Sequence, residues 1–212
     1  MAESLDLSAK NINPLKIAER AIKEESVLQE LLQGISPDTK KTQIRENSFK
    51  VLMLLSEQHP KALLSHWDYL IGLLKSDNGF SKYAAIHVIV MLVPADEQGR
   101  FEKAFNVYFS LLDDESVMVA SHVAGTSGKI ATAKPHLQAR ITKRLLDIDK
   151  THFDAGRKGL VKSYAIEAFR EYFDESQDKK KILAFVRKQL DSTSPKTRKM
   201  AKAFLQKWEG AA

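Results

Sequence analysis

The sequence predicts an all-α chain, five successive helix–turn–helix units behind one extra N-terminal helix. Three observations predict it. Apolar residues recur with a period of 3.6 in segment after segment, and no segment needs a period of 2. All six prolines (Pro14, Pro37, Pro60, Pro94, Pro135 and Pro195) fall between those segments, as expected of a residue that breaks helix interiors but suits a first turn. A frame of basic, small and apolar residues also recurs along the chain.

In chain order, residues 1–24 predict a helix over Leu15–Ile22, with Arg20, Lys23 and Glu24 outward, capping the first repeat. Leu28, Leu31, Leu32 and Ile35 share one helix face. So do Ile44, Ser48, Val51, Leu52 and Leu55; then Trp67, Leu70, Ile71 and Leu74; then Ala85, Val88, Ile89 and Leu92. The short β-like run His87–Val93 is embedded in that longer helical pattern. Phe101, Phe105, Tyr108, Phe109 and Leu112 follow, and later Ile141, Leu145 and Ile148. Ser36-Pro37 and Ser194-Pro195 read as an N-cap followed by proline at the first helical position. Asp77-Asn78-Gly79 and Asp113-Asp114 mark short turns. The last helix ends at Trp208, and 209–212 are expected to fray.

The recurring frame starts at Arg45, with Ser48 at +3, Val51 and Leu52 at +6 and +7, and Leu55 at +10. Lys82 leads to Ala85, Val88/Ile89 and Leu92; Lys162 to Ala165, Ala168/Phe169 and Tyr172; Arg198 to Ala201, Phe204/Leu205 and Trp208. A frame begun at Ala120 gives Val123, Thr126/Ser127 and Ile130. The starting points lie 37, 38, 42 and 36 residues apart. The small residue at +3 lets helices approach closely, and a lone helix pair, unable to bury both apolar stripes, must stack on its neighbours.

These features resemble the HEAT-repeat (armadillo-like) family over Glu25–Trp208. The resemblance implies a right-handed α-α superhelix of about five helix pairs plus an N-terminal capping helix. It implies a single solenoid domain over residues 1–212, with the cap at 1–24 and repeats near 25–59, 60–93, 97–134, 135–174 and 178–209. Tetratricopeptide repeats fit worse, because the period exceeds 34 residues, and the spacing leaves little room for the third short helix of an armadillo unit. The resemblance also implies that turn aspartates (Asp38, Asp77, Asp114, Asp154) and the anchor cations Arg45, Lys82, Lys162 and Arg198 form a ladder between repeats, with a rung missing at Ala120.

Composition narrows function. With 43% apolar and 28% charged residues the chain is of ordinary globular type. The absence of cysteine excludes disulfides, thiolate metal sites, iron–sulfur clusters and cysteine nucleophiles. It suits a reducing cytosol, so a cytoplasmic location is expected. Glu3 and Asp6, without an apolar stretch, predict no secretory signal, and the longest apolar run, Tyr83–Val93, is too short for a membrane span. Gly125-Thr126-Ser127-Gly128-Lys129 fails as a phosphate loop: two residues separate its glycines, not four, and Ile130 follows the lysine. Residues 120–133 are instead small enough for an inner helix that packs tightly. The six histidines form no HExxH pair, and no Gly-x-Ser-x-Gly elbow exists. No cofactor, metal, small-molecule substrate or membrane partner is therefore expected, nor an enzyme.

Net charge is +6, yet residues 138–212 hold 18 Lys/Arg against 10 Asp/Glu. Arg157, Lys158 and Lys162 begin the fourth inner helix; Lys196, Arg198, Lys199 and Lys202 begin the fifth. Positive residues at a helix N-terminus oppose the dipole, so helix stability does not account for them. Neighbouring inner helices lie about 10 Å apart, which makes the two clusters one candidate partner-binding patch. Lys179, Lys180 and Lys181 begin the fifth outer helix, on the opposite side. The expected role is a scaffold that docks a protein partner with an acidic surface. The alternative is nucleic-acid binding through phosphate contacts. A lesser alternative, base-flipping glycosylase chemistry, needs aromatic and acidic side chains together, whereas Trp67 and Trp208 fall at core positions of their helices and the sequence shows no catalytic aspartate with a tryptophan beside it.

Overall fold

The computed structural model describes residues 5–209. They form twelve α-helices: α1 (Pro14–Lys23), α2 (Glu25–Gly34), α3 (Thr42–Gln58), α4 (Pro60–Leu64), α5 (Trp67–Leu73), α6 (Gly79–Leu92), α7 (Arg100–Ser110), α8 (Val117–Ala133), α9 (Gln138–Leu146), α10 (Ala155–Tyr172), α11 (Lys179–Lys188) and α12 (Pro195–Trp208). Short 3-10 turns join several of them, and no strand occurs among the described residues. No described helix is long and apolar enough to cross a membrane. The chain divides into two compact units, one ending at Ala104 and the other beginning at Phe105, so the division falls within α7.

In the first unit α3 packs against α1, α2, α4 and α6. The stripe Val51, Leu52 and Leu55 meets Leu28, Leu31, Leu32 and Ile35, all essentially without exposure. Gly34 makes this close approach possible, since a Cβ there would overlap the side chain of Ser48. The Asn47 amide donates to the carbonyls of Leu7 and Ala9, both at 2.9 Å, and seats the N-terminal segment on α3. The capping helix buries Ile17, Ala18 and Ala21, whereas Leu15 and Ile22 are exposed. Asp96 accepts from the backbone N–H groups of Arg100 (3.1 Å) and Phe101 (2.9 Å), satisfying orphan donors at the start of α7.

Two expectations need correction here. Ser36-Pro37 starts no helix: it lies in a turn, Ser36 accepts from the Gln33 amide (3.0 Å), and α3 begins only at Thr42. The stretch from Pro60 to Leu92 holds three helices, α4, α5 and α6, because the chain breaks at Ser65 and His66; the third short helix does fit.

In the second unit α8 packs against α10 and α10 against α12, with α9 and α11 flanking them. The small face of α8 is a close-packing surface. A Cβ on Gly128 would lie 2.6 Å from the Ala168 carbonyl oxygen, and one on Gly125 would lie 3.1 Å from the Tyr164 ring. Two buried hydroxyl pairs cross the core, Tyr108 with Thr126 (2.7 Å) and Thr142 with Tyr172 (2.9 Å). Burial strongly disfavours both tyrosinates and raises both pKa values.

Repetition is visible in the bonds themselves. Asn78, Ser116, Asp154 and Ser194 cap α6, α8, α10 and α12, each by accepting from the N–H three residues on, at intervals of 38, 38 and 40 residues. Within the first unit Tyr69 donates to the Leu32 carbonyl (2.9 Å) and Arg100 to that of Leu64, 37 and 36 residues apart. Within the second, Arg144 donates to Asn106, His152 to Asp113, Thr197 to the Gly159 carbonyl and Trp208 to Asp174, at separations of 38, 39, 38 and 34. The caps also correct one frame. Four residues after each cap stand Lys82, Ala120, Lys158 and Arg198, so the fourth anchor is Lys158 and Lys162 lies one turn beyond it.

The Asp113–His152 bond carries a pH signature. Asp113 accepts from the His152 backbone N–H (2.8 Å) and from its ring Nδ1 (2.7 Å). The backbone bond first, then the His152 side chain, holds the carboxyl below its usual value of 3.8. Lower in the folded than in the unfolded chain, it stabilises above pH 3.8 and loses that contribution as pH falls through the folded value. Urea midpoints from pH 5 to pH 2 should show Asp113→Asn with a shallower acid decline than the wild type; parallel declines would refute the assignment.

Candidate interaction surfaces

The seven basic residues of the candidate partner-binding patch all lie in the second unit, but they do not act alike. Arg157 is exposed, with Nε 3.6 Å from Asp154, the cap of its own helix. Lys158 and Lys162 line an edge cleft of about 390 Å3 together with Asp149, Lys188 and Asp191. The Lys162 side chain is only 12% exposed, its Nζ lies 2.6 Å from Asp149, and it faces the Phe185 ring at 6.0 Å. Lys162 thus ties α10 to its own surroundings. Lys196 sits 3.7 Å above the Tyr164 ring, a cation–π contact that bridges α12 and α10. Lys199 and Lys202 are exposed on α12.

Arg198 donates to the carbonyls of Ser192 (2.6 Å) and Thr193 (3.2 Å). In the first unit Arg45 donates to Thr39 (2.6 Å), again six residues back. Both arginines staple the preceding turn to their own helix. This differs from a ladder through turn aspartates, because a guanidinium fork finds carbonyl acceptors in the turn that feeds its helix. Asp38 and Asp77 are exposed, Asp114 accepts from the Ser116 N–H and Asp154 from the Arg157 N–H.

A surface that sequence reasoning missed lies in the first unit. Phe49 of α3 meets Phe80, Tyr83 and His87 of α6, with ring centroids 6.3, 5.1 and 6.2 Å away. Tyr83 and His87 lie 4.6 Å apart with their planes tilted by 56°, and the Arg45 guanidinium lies 5.6 Å from the Phe80 ring. All four rings are partly exposed, as are Met53 and Met91, which helical spacing puts on the same stripes. The signal was a second apolar stripe, Phe80–Tyr83–His87–Met91, running beside the buried one at Ala84, Ala85, Val88 and Leu92.

One aspartate stands beside a tryptophan in space, Asp174 against Trp208. The Trp208 indole donates to Asp174 (2.8 Å) and packs on Phe204 at 4.3 Å and Phe173 at 5.1 Å. That places Trp208 as the clasp of the last helix. His122, half-buried near Tyr164, has its pKa lowered by burial. Among the described residues no three His, Asp or Glu side chains converge as a metal site. No protein-family model, curated protein or solved structure matches this chain.

Proposed function

We propose that this protein is a non-enzymatic interaction scaffold of HEAT-repeat type, its helix pairs continuing into a right-handed superhelix. It docks a protein partner through the ring cluster of α3 and α6. The observation that carries this reading is that Phe49, Phe80, Tyr83 and His87 form one cluster of partly exposed rings beside the buried stripe of Ala84, Ala85, Val88 and Leu92. Aromatic and methionine side chains are enriched where partners bury surface, and a few such rings supply most of the binding energy. The superhelix is supported by the helix caps and inter-repeat bonds that recur at one repeat length. Exposed Lys196, Lys199 and Lys202, with half-buried Lys158 beside them, favour a partner with an acidic surface, which they would steer during encounter.

Affinity capture from the source cell, quantified for the wild type and for Phe49→Ala/Tyr83→Ala, tests the reading. Two lost ring contacts should weaken capture of a specific partner at least tenfold, since truncating a hot-spot residue costs about 2 kcal/mol or more. Circular dichroism should be unchanged. Equal capture by both proteins, or no enriched protein, would refute the role given to this surface.

A further inference from the structure

We propose a second binding surface, for the phosphate backbone of a nucleic acid, on the face formed by α9 and α11 of the second unit. These two helices pack against each other. Together they carry eight Lys/Arg and no Asp or Glu, and all eight basic side chains are exposed. Carboxylates neutralise two of them: Lys181 pairs with Asp178 and Arg187 with Glu209. Arg140, Lys143, Arg144, Lys179, Lys180 and Lys188 remain as the cationic surface.

Part of that surface is already organised. Arg140, Lys143 and Arg144 line a groove of about 460 Å3 with Phe105, Asn106, Asp147 and Lys150. The Arg140 guanidinium carbon sits 4.0 Å from the centroid of Phe105, a ring itself buried, and Arg144 donates to Asn106 at 3.0 Å. Two guanidinium forks are thus held before any ligand arrives, and such forks match phosphate oxygens. The groove's one carboxylate, Asp147, is engaged by Lys150 at 2.8 Å. Lys179 and Lys180 stand at the N-terminus of α11, where positive charge opposes the helix dipole, so helix stability does not explain them.

The identity of the ligand follows from what accompanies the charge. A folded protein partner needs a central apolar or aromatic anchor, and an interfacial membrane helix needs an exposed apolar face. The large exposed hydrophobics of the second unit are Met118 on α8 and Leu190 beyond the end of α11; neither α9 nor α11 carries one. Charge spread over two helices without an anchor suits a regular polyanion, whose binding is driven by counterion release and reads little sequence.

The test uses the full chain and a fluorescent 20-base-pair duplex of random sequence, with anisotropy read between 50 and 200 mM salt. Single-stranded DNA and RNA of equal length form parallel arms. Engagement of four or five phosphates predicts a slope of log affinity against log salt of about −4. Arg140→Gln/Lys143→Gln/Arg144→Gln should lower affinity at least tenfold at 100 mM salt and make the slope shallower by about 2.7 for duplex. Lys143→Gln/Lys180→Gln, which touches neither Phe105 nor Asn106, should lower affinity severalfold with an unchanged melting curve. Lys199→Glu/Lys202→Glu on α12 should have little effect. Absence of binding at 50 mM salt, loss of binding only in the α12 variant, or equal affinity for polyglutamate or phosphatidylserine vesicles would each overturn the proposal. None of these outcomes bears on Phe49 and Tyr83, so the two surfaces are tested separately.

Discussion

Gly128→Ala should lower the melting midpoint by about 2–8 °C, although alanine is the better helix former. The opposing effects have known sizes. Removing glycine from a helix interior gains about 1 kcal/mol. Overpacking a closed interface costs about 1–3 kcal/mol, occasionally more. At Gly128 the new carbon would lie 2.6 Å from the carbonyl oxygen and 3.0 Å from the Cα of Ala168. These are backbone atoms of α10, which cannot rotate away as a side chain can, so α8 and α10 must separate. The steric term therefore wins, and a net loss of 1–2 kcal/mol moves the midpoint of a chain this size by about 2–4 °C per kcal/mol. Gly128→Leu should cost still more. Gly72→Ala is the matched control, because nothing lies within 4 Å of its would-be Cβ. It should leave the midpoint unchanged or raise it slightly. A Gly128→Ala protein as stable as the wild type would show that the two helices are not in the close contact described.

Trp208→Ala should destabilise the second unit by about 2–3 kcal/mol, a little below the range for a fully enclosed large aromatic because the ring is only partly buried. The ring lies 4.3 Å from Phe204 and 5.1 Å from Phe173, and its indole N–H closes on Asp174. Separate variants divide the effect. Trp208→Phe keeps the ring packing and loses the hydrogen bond, so it should cost about 1 kcal/mol. Asp174→Ala should match it. Urea unfolding followed by circular dichroism measures all three. If alanine at 208 and at 174 both fell within about 0.5 kcal/mol of the wild type, as ordinary surface substitutions do, the clasp would have no energetic meaning.

The long helices α3, α6 and α10 are legible because their buried stripes are long and apolar. Val51–Leu55, Val88–Leu92 and Ala165–Phe169 leave no competing period. The frame at Lys162 was misplaced for the same reason. In α10 the buried residues Val161, Ala165, Ile166, Ala168, Phe169 and Tyr172 satisfy the pattern equally well after a shift of one turn, and only the Asp154 cap decides between them. The partners of Arg45 and Arg198 had no signature, since their acceptors are backbone carbonyls that every residue carries. Ser36-Pro37 has the residues of a helix start, but the Gln33 amide takes the serine hydroxyl. The exposed rings at Phe49 and Tyr83 look, in sequence, like any core aromatic; only the helix orientation set by the stripe beside them turns them outward. The basic excess was visible as composition, whereas its division among Lys162, Lys196 and the α9–α11 face depended on which neighbours each side chain met.

In the second unit α10 packs against both α8 and α12, whereas among the described residues α12 has just one long helix of this kind, α10, against it, with α11 at its side. Detaching α12 therefore breaks a single such seam, while releasing α10 breaks two. Amide protons of 195–208 should exchange with deuterium ahead of those of 155–172, and a protease probing the unit under mild denaturant would trim inward from its carboxyl end.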